Sequence, residues 1–309
     1  MRHNTGIHLA LCSVILMWGG VFVAVAKLLP SMDALQLVTI RFVLTSVAFG
    51  LIFLATPSLR PRLTRQQLGV LVVAGALAVP GAQLPVVQGQ NYLSPALVSV
   101  FVTLSPAWAA VISAIWLKER FTYWQIFGFV VAFAGSVVVI VTGTGDGDLT
   151  VDNPWGASLA LLTPVCWGTY TVMSKPLSTK YPPLTSVGVA VIAGTLLMAP
   201  LYPHSVGVLG DLTASDWMWL LYLLFGGTLI TYWIWYKALA RMPASKTAAY
   251  MYGVPFAALL WSWLLLDTVP TGLALAGGAV MIAGVILTQW SGPTSQPEPE
   301  LREQAATEP

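Results

Sequence analysis

The chain has 309 residues, of which 57% are hydrophobic and 8% are charged. Soluble domains carry roughly 25% charged residues, so this composition excludes a water-soluble globular protein. The net charge is only +2, which gives no reason to expect a nucleic-acid partner.

Ten apolar segments follow one another along the chain, separated by charged residues, Pro and Gly. A membrane-spanning helix needs roughly 20 mostly apolar residues, because the hydrocarbon core of a bilayer is about 30 Å thick. The pattern therefore predicts an all-α integral membrane protein with ten transmembrane helices. The predicted spans cover residues 7–27, 35–55, 68–86, 94–117, 124–142, 155–175, 184–201, 217–237, 245–266 and 271–290.

The positively charged residues lie mainly on one side of this predicted arrangement. If the N-terminus is cytoplasmic, all but Lys27 and Arg41 of the 14 Lys and Arg residues fall on the cytoplasmic side. Cytoplasmic loops of membrane proteins are enriched in Lys and Arg. We therefore expect a multi-pass protein of the bacterial inner (plasma) membrane, with both termini in the cytoplasm.

An internal repeat emerges when the chain is compared with itself at an offset of 149 residues. At this offset Trp18 matches Trp167, and Pro106 matches Pro255. Matches that involve Trp and Pro are less easily explained by chance than matches between common apolar residues. The paired prolines predict matched kinks in the fourth and ninth spans.

Each half of the repeat holds five predicted spans. An odd number of spans makes the second half enter the membrane from the opposite face, which is the plan of inverted-repeat secondary transporters. In such folds the substrate binds near the bilayer midplane, between the repeats. We predict a first five-helix repeat at residues 1–146, a second, inverted repeat at 147–290, and a Pro- and Glu-rich disordered cytoplasmic tail at 291–309.

Four short motifs occur in order along the first half: LMWGG at residues 16–20, RF at 41–42, LSP at 104–106 and LKER at 117–120. With these motifs, the chain resembles the drug/metabolite transporter superfamily, specifically the EamA-type ten-helix exporters, along almost its whole length. The resemblance implies a central cavity lined mainly by spans one, three, four, six, eight and nine. It does not imply one particular substrate, and we expect neither a cofactor nor a metal site.

The third predicted span is interrupted by Pro80 and Pro85, and amide side chains lie nearby at Gln83, Gln88 and Asn91. Amides at membrane depth are tolerated where they are buried in protein or face water. These three residues are therefore the strongest hydrogen-bonding candidates for a substrate site.

Hydroxyl groups and aromatic rings follow one face of the sixth span, at Thr163, Trp167, Tyr170 and Ser174. We interpret this face as lining the cavity, because a purely lipid-facing helix gains nothing from such groups. Trp and Tyr also collect at membrane interfaces, and Ser and Thr at helix contacts, so a structural role stays open for each residue. The candidate substrate-binding residues are Trp18, Gln83, Gln88, Asn91, Thr103, Trp167, Tyr170, Tyr232 and Tyr252.

Three cations lie within or at the ends of predicted spans, namely Lys27, Arg41 and Lys237. Snorkelling of the charged group to the membrane surface explains their presence, and binding of a substrate carboxylate is the alternative. No Asp or Glu lies near the middle of a predicted span. This argues against an exporter that exchanges protons for organic cations on a buried carboxylate.

The polar but nearly uncharged predicted cavity favours an exporter of small organic metabolites such as amino acids. An exporter of nucleobases, nucleosides or aromatic drug-like compounds is the alternative, and a non-transporting membrane scaffold is a more remote one. The three His residues lie at or near membrane surfaces and form no catalytic set, which disfavours an enzyme. We expect a small-molecule substrate and the lipid bilayer as partners, no nucleic acid, and a monomer or a dimer.

Overall fold

A computed structural model describes residues 2–60, 63–89, 91–93, 95–143, 153–267 and 269–290 of the chain. These residues form helices joined by short loops, and no strand occurs among them. The predicted tail at residues 291–309 lies outside the described residues. The α-helices are α1 (Arg2–Leu28), α2 (Ala34–Ala55), α3 (Arg65–Ala76), α4 (Ala82–Gly89), α5 (Pro95–Val102), α6 (Ser105–Trp116), α7 (Tyr123–Gly143), α8 (Pro154–Lys180), α9 (Pro183–Leu196), α10 (Tyr202–Val206), α11 (Ala214–Leu224), α12 (Ile230–Leu239), α13 (Ala244–Ala249), α14 (Val254–Leu266) and α15 (Gly272–Trp290).

Eight stretches of helix in the described part of the chain are long and apolar enough to cross a membrane. A ninth is formed if α9 and the segment Ala199–Gly210, which are bent by 55° relative to each other, make one span. Helix α8 has 27 residues but is not among the stretches that are apolar enough on their own. The eight stretches are Gly6–Leu28, Ala34–Ala55, Arg65–Gly89, Val98–Trp116, Tyr123–Gly143, Ala214–Leu239, Ala244–Leu266 and Gly272–Gln289.

Large apolar side chains cover the outward faces of these helices. Leu54, Ile115 and Leu264, for example, are 70%, 73% and 67% exposed. Extensive apolar surface of this kind is rare on soluble monomers. A lipid bilayer is the environment in which these side chains are favourably placed.

The starts of α3 and α11 are built in the same way. Thr64 caps α3 and Thr213 caps α11, each by accepting a hydrogen bond from the backbone N–H three residues later. The side chains of Gln67 and Asp216 return the hydrogen bond, which completes a capping box at both sites. The two caps are 149 residues apart, which is the offset of the sequence repeat.

Two further backbone features recur near this offset. Lys118 and Asp267, which follow α6 and α14, both have a φ of 54° in the left-handed region. A π-helical segment joins α3 to α4 at Leu77–Gly81, and another joins α11 to α12 at Phe225–Leu229. Pro106 and Pro255 also occupy matching positions, because they lie in the first turns of α6 and α14, directly after breaks in the predicted fourth and ninth spans. Corresponding positions in the two halves thus share local backbone geometry.

Two repeat-related glycines bring helices into backbone contact. A Cβ atom at Gly19 of α1 would lie 2.6 Å from the backbone of Ala257 in α14. A Cβ atom at Gly168 of α8 would lie 3.0 Å from the carbonyl oxygen of Ser105 in α6. Each helix can therefore cross its partner closely only because the residue is glycine. These crossings fix the positions of Trp18 and Trp167, which directly precede the two glycines.

Candidate substrate-binding site

Six aromatic side chains meet where α1, α8 and α12 face one another. All are buried. Helix α1 contributes one, α8 contributes two that are three residues apart, and α12 contributes three. We name this group the ring cluster, and its members are Trp18, Trp167, Tyr170, Tyr232, Trp235 and Tyr236.

The two repeat-related tryptophans lie in contact at the centre of the ring cluster. The ring centroids of Trp18 and Trp167 are 5.7 Å apart, with an interplanar angle of 79°, which is an edge-to-face pair. Trp235 lies 5.0 Å from Trp18, and Tyr232 lies 5.5 Å from Trp167. The rings fill the space between the three helices, so a ligand that binds here has to part them.

Polar atoms within the ring cluster differ in how they are satisfied. The indole N–H of Trp167 donates to the sulfur of Met251 at 2.8 Å, and Ser174 shares a 2.9 Å hydrogen bond with the hydroxyl of Tyr236. The indole N–H of Trp235, a residue that is 1% exposed, has no acceptor among the described residues. A buried unpaired donor costs about 1–3 kcal/mol. A ligand that supplies an acceptor would remove this cost.

Arg41 is buried beside the π-helical segment at Phe225–Leu229. Only 7% of the residue is exposed. Its Nε donates to the hydroxyl of Thr228 at 3.1 Å, and its Nη2 donates to the carbonyl oxygen of Gly227 at 2.9 Å. A π-helical segment departs from the regular i to i−4 ladder, which frees carbonyl groups for such contacts. In this structure the guanidinium group of Arg41 is therefore held inside the protein by neutral acceptors.

One end of the helix bundle is tied together by Glu119, which follows α6. Its buried carboxylate accepts hydrogen bonds from the backbone N–H groups of Ala244, at 2.8 Å, and Ser245, at 3.3 Å, and from the hydroxyl of Ser245. At the same end, His8 and the hydroxyl of Tyr250 share a hydrogen bond. Both contacts join the first half of the chain to the second.

Lys175 closes the same end of the bundle within the second half. Its Nζ donates to the carbonyl oxygens of Leu239 and Met242, both at 2.6 Å. These carbonyls belong to the C-terminal end of α12 and the turn after it, where a positive charge interacts favourably with the helix dipole. The amine therefore holds α8 against the end of α12.

Polar contacts also join the two halves at the opposite end. Asp33 Oδ2 lies 2.7 Å from His204 Nε2, and the hydroxyl of Ser31 donates to Asp216 at 3.0 Å. Burial alone would raise the pKa of Asp33, but the hydrogen bonds from the Gln36 backbone and from His204 lower it. The carboxylate of Asp33 is thus favoured in its charged form.

The EamA-like transporter family is the family whose sequence model matches this chain, once at residues 4–141 and again at 154–290. The chain belongs to the EamA-like transporter family. Together with its apolar spans, this makes the chain a multi-pass membrane protein of a transporter family. The family match occurs twice because the two halves of the chain are related to each other.

Relatives of this EamA-family chain are named as transporters. An uncharacterized transporter of Archaeoglobus fulgidus is 26% identical over 282 residues, covering 90% of this chain and 97% of that protein. A probable terminal-alkyne amino-acid exporter of Streptantibioticus cattleyicolor is 30% identical over 278 residues, covering 90% and 91%. An uncharacterized inner membrane transporter of Escherichia coli, YhbE, is 30% identical and covers 84% and 81%.

A solved crystal structure has the same fold as this EamA-family chain. The TM-score is 0.76, and the match covers 92% of this chain and 96% of the other. The two sequences are 19% identical, so the likeness concerns the fold alone.

The predicted site residues of this EamA-family transporter divide into two groups. Trp18, Trp167, Tyr170 and Tyr232 lie together in the ring cluster. The other five lie elsewhere in the bundle. Their role in binding stays a prediction.

The amides predicted in and near the third span lie along α4 and just after its end. The carbonyl of Ala82 accepts a hydrogen bond from Thr163 at 3.1 Å, and the next residue, Gln83, is half-buried. Gln88 and Asn91 bond to each other at 3.2 Å near the end of α4, where Asn91 is exposed. Among the predicted amides, Gln83 is thus the one that lies next to the contact between α4 and Thr163 of α8.

Thr103 and Tyr252 occupy breaks in their helices. The hydroxyl of Thr103 donates to the carbonyl of Val100 at 2.7 Å, between α5 and α6. The Tyr252 ring packs against Phe129 and Phe133 of α7, at centroid distances of 6.3 and 6.4 Å. Both residues are buried, but these contacts are separate from the ring cluster.

Two grooves in the described part of the EamA-family chain lie outside the ring cluster. One of about 220 Å³ is formed between α2 and α9, and another of about 270 Å³ is formed where the end of α2 approaches the start of α9. The first is lined mainly by apolar side chains. The lining residues are Val43, Ser46, Val47, Ile192, Thr195, Leu196 and Tyr202 for the first groove, and Pro57, Ser58, Arg60, Leu63, Tyr181, Pro182 and Thr185 for the second.

Proposed function

We propose that this chain is a secondary transporter that exports small organic metabolites such as amino acids by alternating access. The observation that carries the proposal is the contact between Trp18 and Trp167, at 5.7 Å. These residues are equivalent in the repeat, and one comes from each half. A substrate held between them contacts both halves at once, which is what a carrier needs in order to couple binding to their relative motion.

The proposal includes ten spans, because we add α8 to the eight apolar stretches and to the span formed by α9 and Ala199–Gly210. A helix of 27 residues is about 40 Å long, which is enough to cross a bilayer. Its polar side chains, such as Thr163 and Ser174, are buried against protein. A helix covered by its neighbours does not need the apolar surface that lipid contact demands.

With ten spans, each half holds five and the second half is inverted relative to the first. The capping boxes at Thr64 and Thr213 and the left-handed residues Lys118 and Asp267 support equivalent halves. We place the boundary between the halves at residue 146, both termini in the cytoplasm, and the protein in the plasma membrane. The transporter of Escherichia coli among its relatives is named as an inner membrane protein.

Alternating access requires that each end of the bundle open in turn. Glu119 ties the halves at the proposed cytoplasmic end, and the pair Asp33 and His204 ties them at the proposed outer end. Both ties are made by hydrogen bonds to a carboxylate, which water can replace at a net cost of about 1.5–3 kcal/mol for each bond. The apolar contacts within each half are less easily exchanged for water.

The substrate class follows from the groups at the ring cluster. Rings and an unpaired indole N–H suit a compound with an apolar or aromatic part and a hydrogen-bond acceptor. An amino acid meets this description, and the Streptantibioticus cattleyicolor relative is named as a probable exporter of terminal-alkyne amino acids. Because six rings meet here, an aromatic compound such as a nucleobase, nucleoside or drug-like molecule is the second candidate.

Flux into proteoliposomes tests this proposal. Purified protein is reconstituted and supplied with radiolabelled amino acids, nucleobases and nucleosides in separate reactions. We expect at least one amino acid to enter faster than into protein-free liposomes, with an excess of the unlabelled compound abolishing the difference. Flux restricted to nucleobases or nucleosides would favour the second candidate, and no flux of any compound would refute transport of these classes.

A further inference from the structure

Arg41 places a permanent positive charge in the interior of the helix bundle. An arginine side chain stays protonated in proteins. No carboxylate among the described residues forms an ion pair with Arg41. The buried Glu119 instead accepts hydrogen bonds from Ala244 and Ser245. Buried charges are normally paired, and an ionisable residue at membrane depth is by default a functional candidate.

The guanidinium group of Arg41 is only partly satisfied. It has five N–H donors, and the structure gives it two hydrogen bonds, to Thr228 and to Gly227. Both acceptors are neutral. Three N–H donors, two on Nη1 and one on Nη2, therefore have no acceptor among the described residues and can donate to a carboxylate.

The guanidinium group lies next to the ring cluster. A Cβ atom built at Gly227 would lie 3.2 Å from Arg41 Nη2 and 3.1 Å from the side chain of Val21. Val21 is about one helical turn after Trp18 on α1. Arg41 is also within electrostatic range of Tyr232, a member of the ring cluster. Val21 and Gly227 therefore lie between the guanidinium group and the ring cluster.

We propose that Arg41 binds the carboxylate of the transported substrate while the ring cluster holds its apolar or aromatic part. The substrate class is then a small carboxylate with a hydrophobic or aromatic side chain. This inference rests on the proposed transport function and narrows it. A nucleobase, which lacks a carboxylate, does not fit this arrangement.

A purely structural role for Arg41 predicts a different result. In that case Arg41 only fastens α2 to the π-helical segment, and its replacement weakens the fold without regard to the ligand. A carboxylate-binding role instead changes the ratio between the affinities for a carboxylate and for its amide. This ratio is therefore the quantity to measure.

Paired ligands measure this ratio in the purified full-length protein. Phenylalanine, leucine and methionine are compared with phenylalaninamide, leucinamide and methioninamide, with binding followed by intrinsic tryptophan fluorescence and by thermal shift. We expect wild-type protein to bind at least one amino acid at least about tenfold more tightly than its amide, because a charge-assisted bidentate contact is lost. In Arg41→Gln the ratio should fall to about twofold or less, and Arg41→Lys should retain part of it.

Lys27→Gln is the matched control, because Lys27 is an exposed cation at the end of α1. Its ratio should equal that of wild type. The inference is overturned if wild type binds the amides as tightly as the amino acids, if it binds none of the amino acids, or if Arg41→Gln keeps the wild-type ratio. If Arg41→Gln does not fold, the wild-type and Arg41→Lys ratios decide. Flux without a carboxylate preference would overturn only this inference, whereas Arg41-dependent binding without flux would overturn only the transport function.

Discussion

Replacing either Trp18 or Trp167 by alanine is expected to reduce substrate flux in proteoliposomes at least about tenfold. Trp18 supplies a ring from the first half and Trp167 supplies a ring from the second, and the two are 5.7 Å apart. Either change therefore removes one wall of the proposed site. An aromatic contact adds about 0.5–1.5 kcal/mol beyond the burial of its area, and the lost area increases the effect further. The conservative changes Trp18→Phe and Trp167→Phe should retain part of the flux.

A loss of folding has to be separated from a loss of binding in this experiment. Truncation of a buried tryptophan costs about 3–5 kcal/mol, so each variant is first compared with wild type by thermal melting and size-exclusion chromatography. Trp155→Ala is the matched control, because Trp155 also lies on α8 but is 63% exposed. Folded Trp18→Ala and Trp167→Ala proteins with wild-type flux would contradict the placement of the site.

Replacing Glu119 by alanine is expected to open the proposed cytoplasmic end of the bundle. The change removes the acceptor of two backbone N–H groups, of Ala244 and Ser245, and leaves these donors for water. We expect a cysteine at position 174, beside Tyr236, to react with a maleimide several-fold faster in this variant. Flux should fall several-fold, because a carrier that favours one open state completes its cycle more slowly.

Asp211→Ala is the matched control for this change, because Asp211 is an exposed carboxylate in a loop of the second half. Both variants are made in a protein whose native cysteines, Cys12 and Cys166, are replaced by serine. Equal maleimide reaction rates at position 174 in the Glu119→Ala and Asp211→Ala proteins would show that Glu119 does not hold this end closed.

The sequence pattern was sufficient to predict the helical fold and the centre of the candidate site. Trp18 and Trp167 stand out because the repeat aligns two rare residues, and the glycine after each allows a close helix crossing. Helix α8 was predicted as the span at 155–175, although it is not among the eight stretches that are apolar enough on their own, and its polar side chains are buried against neighbouring helices. Whether a helix face contacts protein or lipid depends on the neighbouring helices, and the sequence of a single segment does not reveal this.

The sequence reveals less about which helices meet and which charges are buried. Helical spacing places Trp235 and Tyr236 on the same face of α12 as Tyr232, but it does not show that this face meets α1 and α8. Arg41 lies about two turns inside α2, where sequence alone allows either snorkelling or burial. In the structure Arg41 is buried because it donates hydrogen bonds to Thr228 and Gly227, which are distant in sequence.

Access to the two sides of the ring cluster is the most direct test of the account. Single cysteines are placed at position 174 and at position 21, on opposite sides of the Trp18 and Trp167 pair, in the protein without native cysteines. A membrane-impermeant maleimide is then applied to either face of sealed vesicles, with and without a transported amino acid. The account predicts that position 174 reacts only from the cytoplasmic face and position 21 only from the outer face, and that substrate changes the two rates in opposite directions. Reaction of both positions from one face, or of neither from any face, would contradict it.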